Sequence, residues 1–370
     1  MRHAPAIAAL LLALWPAADA RAGACLRGVD VSFLPRVEAG GGVFRDGPDS
    51  TGEASANALA ILHDHGIDLA RLRLWHQPAG GECGLPQALD LAERAKAGGL
   101  DILLDLHYSD TWADPGHQAP PAAWSGLALP ALADSVRMYT RDMLRAFAAR
   151  DATPRIVQLG NEITGGMLWD TGRVTGALDD DAHWDALATL LAAAAAGVDE
   201  ALPAARRPRV MLHLDRGGDN ADARRWLDRI TARGVPFDMI GLSYYPWWHG
   251  TTGALATNLV DLAARYDRDV MVVETAYPWT LGWQDDMHNL VGLPSQLLPE
   301  YPATPAGQAA FAARLLEVVR AVPDGRGAGV VWWAGDWITA PRAGSAWENL
   351  ALFDGKGRAL PALSTLGGEP

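Results

Sequence analysis

The sequence predicts an α/β fold, a single (β/α)8 TIM barrel with enlarged loops at the C-terminal face of its strands. Three observations predict it. Eight short β-branched or apolar runs alternate with longer stretches of helical period, from residue 26 almost to the end. About 350 residues carry the alternation without a long linker, which suits one barrel better than two domains. Polar and aromatic residues crowd directly after the strand runs, where this fold places its chemistry. The strand runs are Leu26–Ser32, Leu69–Leu74, Ile102–His107, Ile156–Gly160, Val210–Leu214, Met239–Ser243, Val270–Glu274 and Gly329–Trp333. Helical patterns fill the intervals at Asn57–His65, Pro86–Ala97, Pro130–Ala149, Trp184–Leu202, Ala221–Thr231, Ala254–Arg265 and Pro305–Val322. A doubly wound open sheet is the structural rival. Against it, the first strand leads into Pro35 and Gly40-Gly41-Gly42, with no dinucleotide fingerprint opening a helix.

Ahead of the first strand, Met1-Arg2-His3 precedes an apolar run from Ala4 to about Ala18 and the small residues Ala18-Asp19-Ala20. A charged start, an apolar stretch and an A-x-A-like site describe a secretory signal peptide, so residues 1–20 are expected to be removed and the barrel to occupy 25–370. That predicts an exported chain, periplasmic or extracellular. No later window is long and apolar enough to span a membrane. The two cysteines, Cys25 and Cys83, cannot frame a zinc site; they form a disulfide or remain free thiols. With 31 Lys+Arg against 44 Asp+Glu, the formal charge of −13 would repel a phosphate backbone, which excludes nucleic acid as the first choice of partner. Fifteen Trp against 7 Tyr and 6 Phe suggest a flat, hydroxylated ligand such as a sugar.

Each strand then contributes to one rim. Strand two ends Arg71-Leu72-Arg73-Leu74-Trp75, and period-2 alternation turns Arg71, Arg73 and Trp75 inward. Two inward arginines demand carboxylates nearby, because an unpaired buried charge is very costly. Strand three ends Asp105-Leu106-His107, strand four Gly160-Asn161-Glu162, strand five His213-Leu214-Asp215, strand six Ser243-Tyr244-Tyr245-Pro246-Trp247-Trp248-His249, strand seven Val273-Glu274 and strand eight Trp332-Trp333. Glu162 and Glu274 therefore meet near the barrel axis. Two facing carboxyl groups are the minimum kit for cleaving a glycosidic bond, one held protonated and the other ionised. A purely structural role, each Glu neutralising an arginine, competes poorly for two glutamates flanked by Asn161, His107 and Tyr245. Trp112, Trp169, Trp247, Trp248, Trp279, Trp283, Trp333 and Trp337 fall on the same rim, whereas Trp184 and Trp226 lie within helices and read as packing residues.

The run Asp105-Leu106-His107-Tyr108-Ser109-Asp110-Thr111-Trp112-Ala113-Asp114-Pro115-Gly116-His117-Gln118 resembles the most distinctive motif of glycoside hydrolase family 53, the arabinogalactan endo-β-1,4-galactanases. Matching segments include Arg27–Ser32, Arg71–Trp75, Gly160–Glu162, His213–Asp215, Ser243–Pro246, Val272–Glu274 and Ser345–Asp354, in the family's order. The resemblance implies a retaining endo-hydrolase with Glu162 as acid/base and Glu274 as nucleophile, their carboxyl groups roughly 5–5.5 Å apart. It implies a polysaccharide substrate, β-1,4-galactan of pectic side chains, a monomer, and no cofactor for catalysis. By position, Asn161 binds the hydroxyl beside the reacting carbon, and Tyr245 and Arg73 hydrogen-bond Glu274. His107 lines the cleavage subsite and Trp333 floors it, Trp112 and Asp215 hold sugars further along, Trp247 also binds substrate, and Arg71 is structural. Bacterial members often bind calcium between the loops after strands seven and eight, and Asp285, Asp286, His288 and Asn289 are the candidates here, although not at an alternating ligand spacing. Where many members carry Trp-Glu-Pro-Ala-Trp, this chain has Trp333-Ala334-Gly335-Asp336-Trp337. The competing readings are a related endo-glycanase acting on mannan or xylan, which would share both glutamates but not the strand-three motif, and a non-catalytic sugar-binding barrel, which has no reason to keep both. A metal-dependent hydrolase is weaker, because His107 and His213 come singly.

Overall fold

Eight parallel strands form a closed barrel in the computed structural model, which describes residues 25–46 and 57–368. The strands are β1 (Leu26–Asp30), β2 (Leu69–Leu74), β3 (Asp101–Leu106), β4 (Ile156–Leu159), β5 (Arg209–Leu214), β6 (Met239–Ser243), β7 (Asp269–Thr275) and β8 (Gly327–Trp332). Each pairs in parallel with its neighbours in sequence, and β8 closes on β1 through Leu26 opposite Gly329 and Val29 opposite Trp332. All eight expected strands are present, and their ends fall within about two residues of the expected ones.

The helices between them are α2 (Ala58–Asp64), α3 (Leu85–Ala97), α4 (Leu129–Ala148), α5 (Asp181–Ala201), α6 (Asn220–Ala232), α8 (Thr252–Tyr266) and α9 (Pro305–Arg320), all of which periodicity had located. Three short ones add to the expectation: α1 (Leu34–Ala39), α7 (Pro246–His249) and α10 (Pro361–Gly367). α10 is the eighth helix of the barrel and packs beside α9. Each of the three starts with Pro in its first turn, where the missing N–H breaks no helical bond.

Alternation along the strands builds the interior in layers. Leu69, Leu103, Ile156, Met211, Met239 and Met271 plug the lower end. Two residues further along β2 to β5 the interior turns polar with Arg71, Asp105, Gln158 and His213, and β6 adds Ser243 four residues beyond Met239. Strand β7 departs from strict alternation. Leu242 pairs with Val272 but Ser243 with Glu274, so Val273 is an extra residue, a β-bulge. The register against β8 slips at the same point. Val273 belongs to the apolar plug, and the bulge turns the next residue, Glu274, inward as well.

Both cysteines are free thiols. Cys25 precedes β1 at the bottom of the barrel and Cys83 follows β2 at the top, so of the two options the disulfide is the one that fails. The leader segment, residues 1–20, lies outside the described residues. No described helix is long and apolar enough to cross a membrane.

Candidate active site

Arg71 is the hub of the polar layer. It is fully buried, and its guanidinium reaches Asp30, Asp105 and Glu274, each at 2.8 Å, and Asn161 Oδ1 at 2.9 Å. The sequence reading is corrected here: Arg71, not Arg73, pairs with Glu274. Two inward arginines on one strand are separated by about one pleat, and the bulge in β7 sets Glu274 at the lower one. Tyr245 donates its hydroxyl to Glu274 Oε2 at 3.0 Å, as expected from its position. Arg73 packs instead among aromatic rings, with its guanidinium 3.9 Å from the Trp112 ring centroid and 4.9 Å from that of Phe33. Its Nη2 approaches Cys83 Sγ at 3.4 Å, while Nε and Nη1 have no partner among the described residues. Cation–π attraction supplies what a carboxylate would otherwise provide.

Glu162 stands at the end of β4 in a left-handed backbone conformation, φ 49°, directly after the polar layer. A short relay holds it: His213 Nε2 lies 2.8 Å from Ser243 Oγ, whose hydroxyl donates to Glu162 Oε1 at 2.6 Å. Burial pushes the Glu162 carboxyl well above the ordinary range, and the negative charges of Glu274 and Asp215 add to the effect. Burial raises Glu274 too, against the opposing pull of Arg71 and the Tyr245 hydroxyl. The two glutamates thus sit in unequal surroundings, one beside a cation and the other beside carboxylates. Burial would raise Asp105 as well, but Arg71 and His107 hold it low. Burial holds His213 and His107 below the usual imidazole range, so both are neutral near pH 7. His107 Nδ1 accepts from Trp75 Nε1 and from the Ala113 N–H, which leaves Nε2 to donate to Asp105. Its nitrogens are occupied; its ring face lines the pocket.

That pocket, about 180 Å³, brings together Arg73, His107, Trp112, Asn161, Glu162, Tyr245, Glu274 and Trp333 from the expected set. Asn161 accepts from Arg71 and Gln158 and donates one amide hydrogen to the Ala113 carbonyl, which leaves its second hydrogen for a ligand. Trp247 is not on the wall. It packs behind Tyr245, at 5.3 Å between ring centroids, and its neighbour Trp248, 59% exposed, takes the place expected of it. Trp347 also lines the pocket, edge-on to Trp333 at 4.5 Å. Its position in the closing segment carried no periodic signal that could have found it. Gln158 and Ser243 are turned inward by strand alternation, but their roles come from cross-barrel contacts that the sequence does not show. Trp337 stacks on Phe33 at 3.8 Å, and Trp184 packs against Trp226 as expected. In the divergent Trp333–Trp337 segment, Asp336 is fully buried with neither carboxyl oxygen partnered among the described residues, and burial pushes it well above the usual range.

A second cavity of about 900 Å³ shares Asp114, Glu162 and Trp248 with the first and extends over the loops after β5 and β6, where it meets Asp215. Gly218 permits the contact between these loops, since a Cβ there would lie 1.7 Å from the His249 carbonyl oxygen.

The calcium candidates are less convergent. Asp285 Oδ2 accepts from Thr339 Oγ1 at 2.6 Å and from the Ser345 N–H at 2.8 Å, tying the loops after β7 and β8 together. Asp286 and His288 are exposed, and Asn289 is buried with its Oδ1 unpartnered. Among the described residues, no three His, Cys, Asp or Glu side chains gather around one position. Thr339 Oγ1 nevertheless contacts Glu348 Oε2 as well as Asp285 Oδ2, so two carboxylates share a hydroxyl with one proton.

Comparison with known proteins places this geometry. The model of glycosyl hydrolase family 53 matches residues 26–366. An uncharacterized Niallia circulans protein is 46% identical over 352 residues, covering 93% of each chain. A probable arabinogalactan endo-β-1,4-galactanase A of Aspergillus terreus is 38% identical, covering 94% of this chain and 97% of the relative. The Ignisphaera aggregans GH53 catalytic domain superposes with a TM-score of 0.85 at 36% identity, covering 92% of this chain and 95% of that one.

Proposed function

The chain belongs to glycosyl hydrolase family 53, and on that premise we propose that it is a retaining endo-hydrolase of β-1,4-galactan, the side-chain polymer of pectin. The observation that carries the mechanism is the unequal setting of the two glutamates. Glu274, salt-bridged to Arg71 and hydrogen-bonded by Tyr245, is the carboxylate that stays ionised. Glu162, beside Asp215 and Glu274 and away from any direct cation contact, is the carboxyl that keeps its proton. In the first step a Glu274 oxygen bonds to the anomeric carbon while the glycosidic C–O bond breaks and Glu162 gives its proton to the leaving oxygen. In the second, Glu162 takes a proton from water as the water oxygen displaces Glu274. Each displacement inverts the anomeric carbon, so the two together leave its configuration unchanged. The free Asn161 amide hydrogen faces the hydroxyl beside the reacting carbon, and Trp112, Trp333 and Trp347 give the sugar ring apolar walls. Galactan as the substrate is supported by the named relatives and by the strand-three motif.

The test is the product profile on linear β-1,4-galactan, with mannan and xylan alongside. Short β-1,4-galacto-oligosaccharides from galactan alone, with the β-anomer first by NMR, are expected; α-anomer first would overturn retention, and activity on mannan or xylan alone would overturn the substrate. A 2-deoxy-2-fluoro galactoside is expected to label Glu274 covalently. The basic start and apolar run of residues 1–20 support export with loss of that segment, and we take the mature chain to act as a monomer outside the cytoplasm.

A further inference from the structure

The two cavities differ in which glutamate they serve. The small pocket holds both; the 900 Å³ cleft borders Glu162 and not Glu274. A general acid delivers its proton to the departing oxygen, so the cleft on its outer side is where the departing part of the chain lies. Two groups there are set for a sugar. Trp248 presents an exposed indole face to the cleft, and the hydrogens on C3, C4 and C5 of a galactose ring form an apolar face that stacks on such a surface. Asp215 is buried, 8% exposed; its Oδ2 pairs with Arg216, while its Oδ1 has no partner among the described residues and is free to accept from a hydroxyl.

The remaining wall is acidic. Asp114, Asp215, Asp219 and Asp222 line the cleft against a single guanidinium, Arg216. Arg216 is bound to Asp215 and Asp222, and Arg225 meets Asp222 as well as Asp179. His249 adds no charge near neutral pH, because burial lowers it to about 4. Exposed His117 is the basic group at Asp114, at 2.9 Å, and Asp219 has no Lys or Arg at ion-pair distance among the described residues. Carboxylates therefore exceed cations by two even with Arg225 included, on a chain of formal charge −13.

We propose that this cleft is an acceptor-side site for neutral galactosyl units and that its surplus of carboxylate rejects uronic acids downstream of the scissile bond. The inference rests on the galactanase reading above and adds a charge selectivity to it. A galactan chain anchored by its reducing end to a uronic-acid backbone would be cut back to a short neutral stub and no further.

The test uses β-1,4-galactotetraose modified only at its reducing end, either reduced to the galactitol or oxidised to the galactonate. The two differ in one negative charge on the unit that enters the cleft. At 10 mM salt the galactitol form is expected to be cleaved with a kcat/KM about tenfold above the galactonate form, the ratio falling toward one at 0.5 M NaCl. Asp114→Asn and Asp219→Asn together should lower the ratio at 10 mM salt. Both amides still accept the backbone hydrogen bonds that Asp114 and Asp219 accept from Gly116 and Asp222. Equal cleavage of the two substrates at low salt would overturn the proposal. So would a discrimination that neither salt nor the double variant changes. Cleavage of neither substrate would overturn the galactanase reading itself and this inference with it.

Discussion

Arg71 connects three carboxylates that could not all remain ionised in a dry interior without it. Lysine keeps the charge but not the fork, so Arg71→Lys is expected to lower kcat/KM by about 10²-fold and to move the acid limb of its pH profile upward, as Glu274 loses its partner. Arg73→Lys, away from Glu274, should leave that limb in place; a shift there equal to that of Arg71→Lys would contradict the pairing. Glu162→Gln and Glu274→Gln should each reduce kcat by at least ~10³-fold on galactan while the protein stays folded. The first also carries a sign in stability. A carboxyl raised by burial favours the protonated form in the folded state, so its stability contribution is intact below about pH 4 and is lost as pH rises toward the elevated folded value. Glu162→Gln removes that loss. Its melting temperature should match the wild type near pH 4 and exceed it at pH 7–8, measured by scanning calorimetry. At this scale the sequence was partly legible. Glu162, Glu274, Asn161 and Tyr245 followed from strand ends and resemblance. The choice between Arg71 and Arg73, and between Trp247 and Trp248, did not, because each depends on a local twist or register that alternation alone leaves open.

Among the elements, the strands were legible because burial on both faces makes them near-continuous apolar runs. Helices of thirteen or more residues show several periods, and α2, with 7, is legible from its apolar run Ala58–Leu62. α1, α7 and α10, with 6, 4 and 7 residues, span fewer than two turns and have no such uninterrupted run. Loops carry even less periodic information, and the one joining β7 to α9 is where the calcium candidates lie. Two carboxylates, Asp285 and Glu348, compete there for one Thr339 hydroxyl, and Asn289 Oδ1 is unpartnered nearby in sequence. We propose that a hard cation relieves that competition, with Asp285 and Asn289 among its oxygen ligands. Millimolar calcium should then raise the melting temperature above that in EDTA by on the order of 5 °C, and Asp285→Ala should abolish the difference. Identical melting in calcium and EDTA would remove the site.

For the whole molecule, the closed barrel followed from eight strand signals and the lack of any linker, and the acidic balance suits the neutral ligand proposed above. Covalent staples are absent from the fold: the two thiols lie at opposite ends of the barrel, and a chain of 370 residues buries enough apolar surface to fold without a bridge. Reductant should therefore leave the melting temperature unchanged, and a thiol reagent should find Cys83 only slowly before denaturation and both cysteines after it. A drop in melting temperature with reductant would contradict this. The bulge at Val273 has a consequence of another kind. Inward and outward along a strand is a matter of odd and even, and β7 evades it once: Val273 and Glu274 are neighbours in sequence and both face the interior. Deleting Val273 would put Glu274 in the inward place that Val273 leaves, still opposite Ser243, and would remove one side chain from the apolar plug, so the expected product is a barrel that closes with a lowered melting temperature, read by scanning calorimetry. A single extra residue thus lets one strand close the floor of the barrel and arm its rim from adjacent positions.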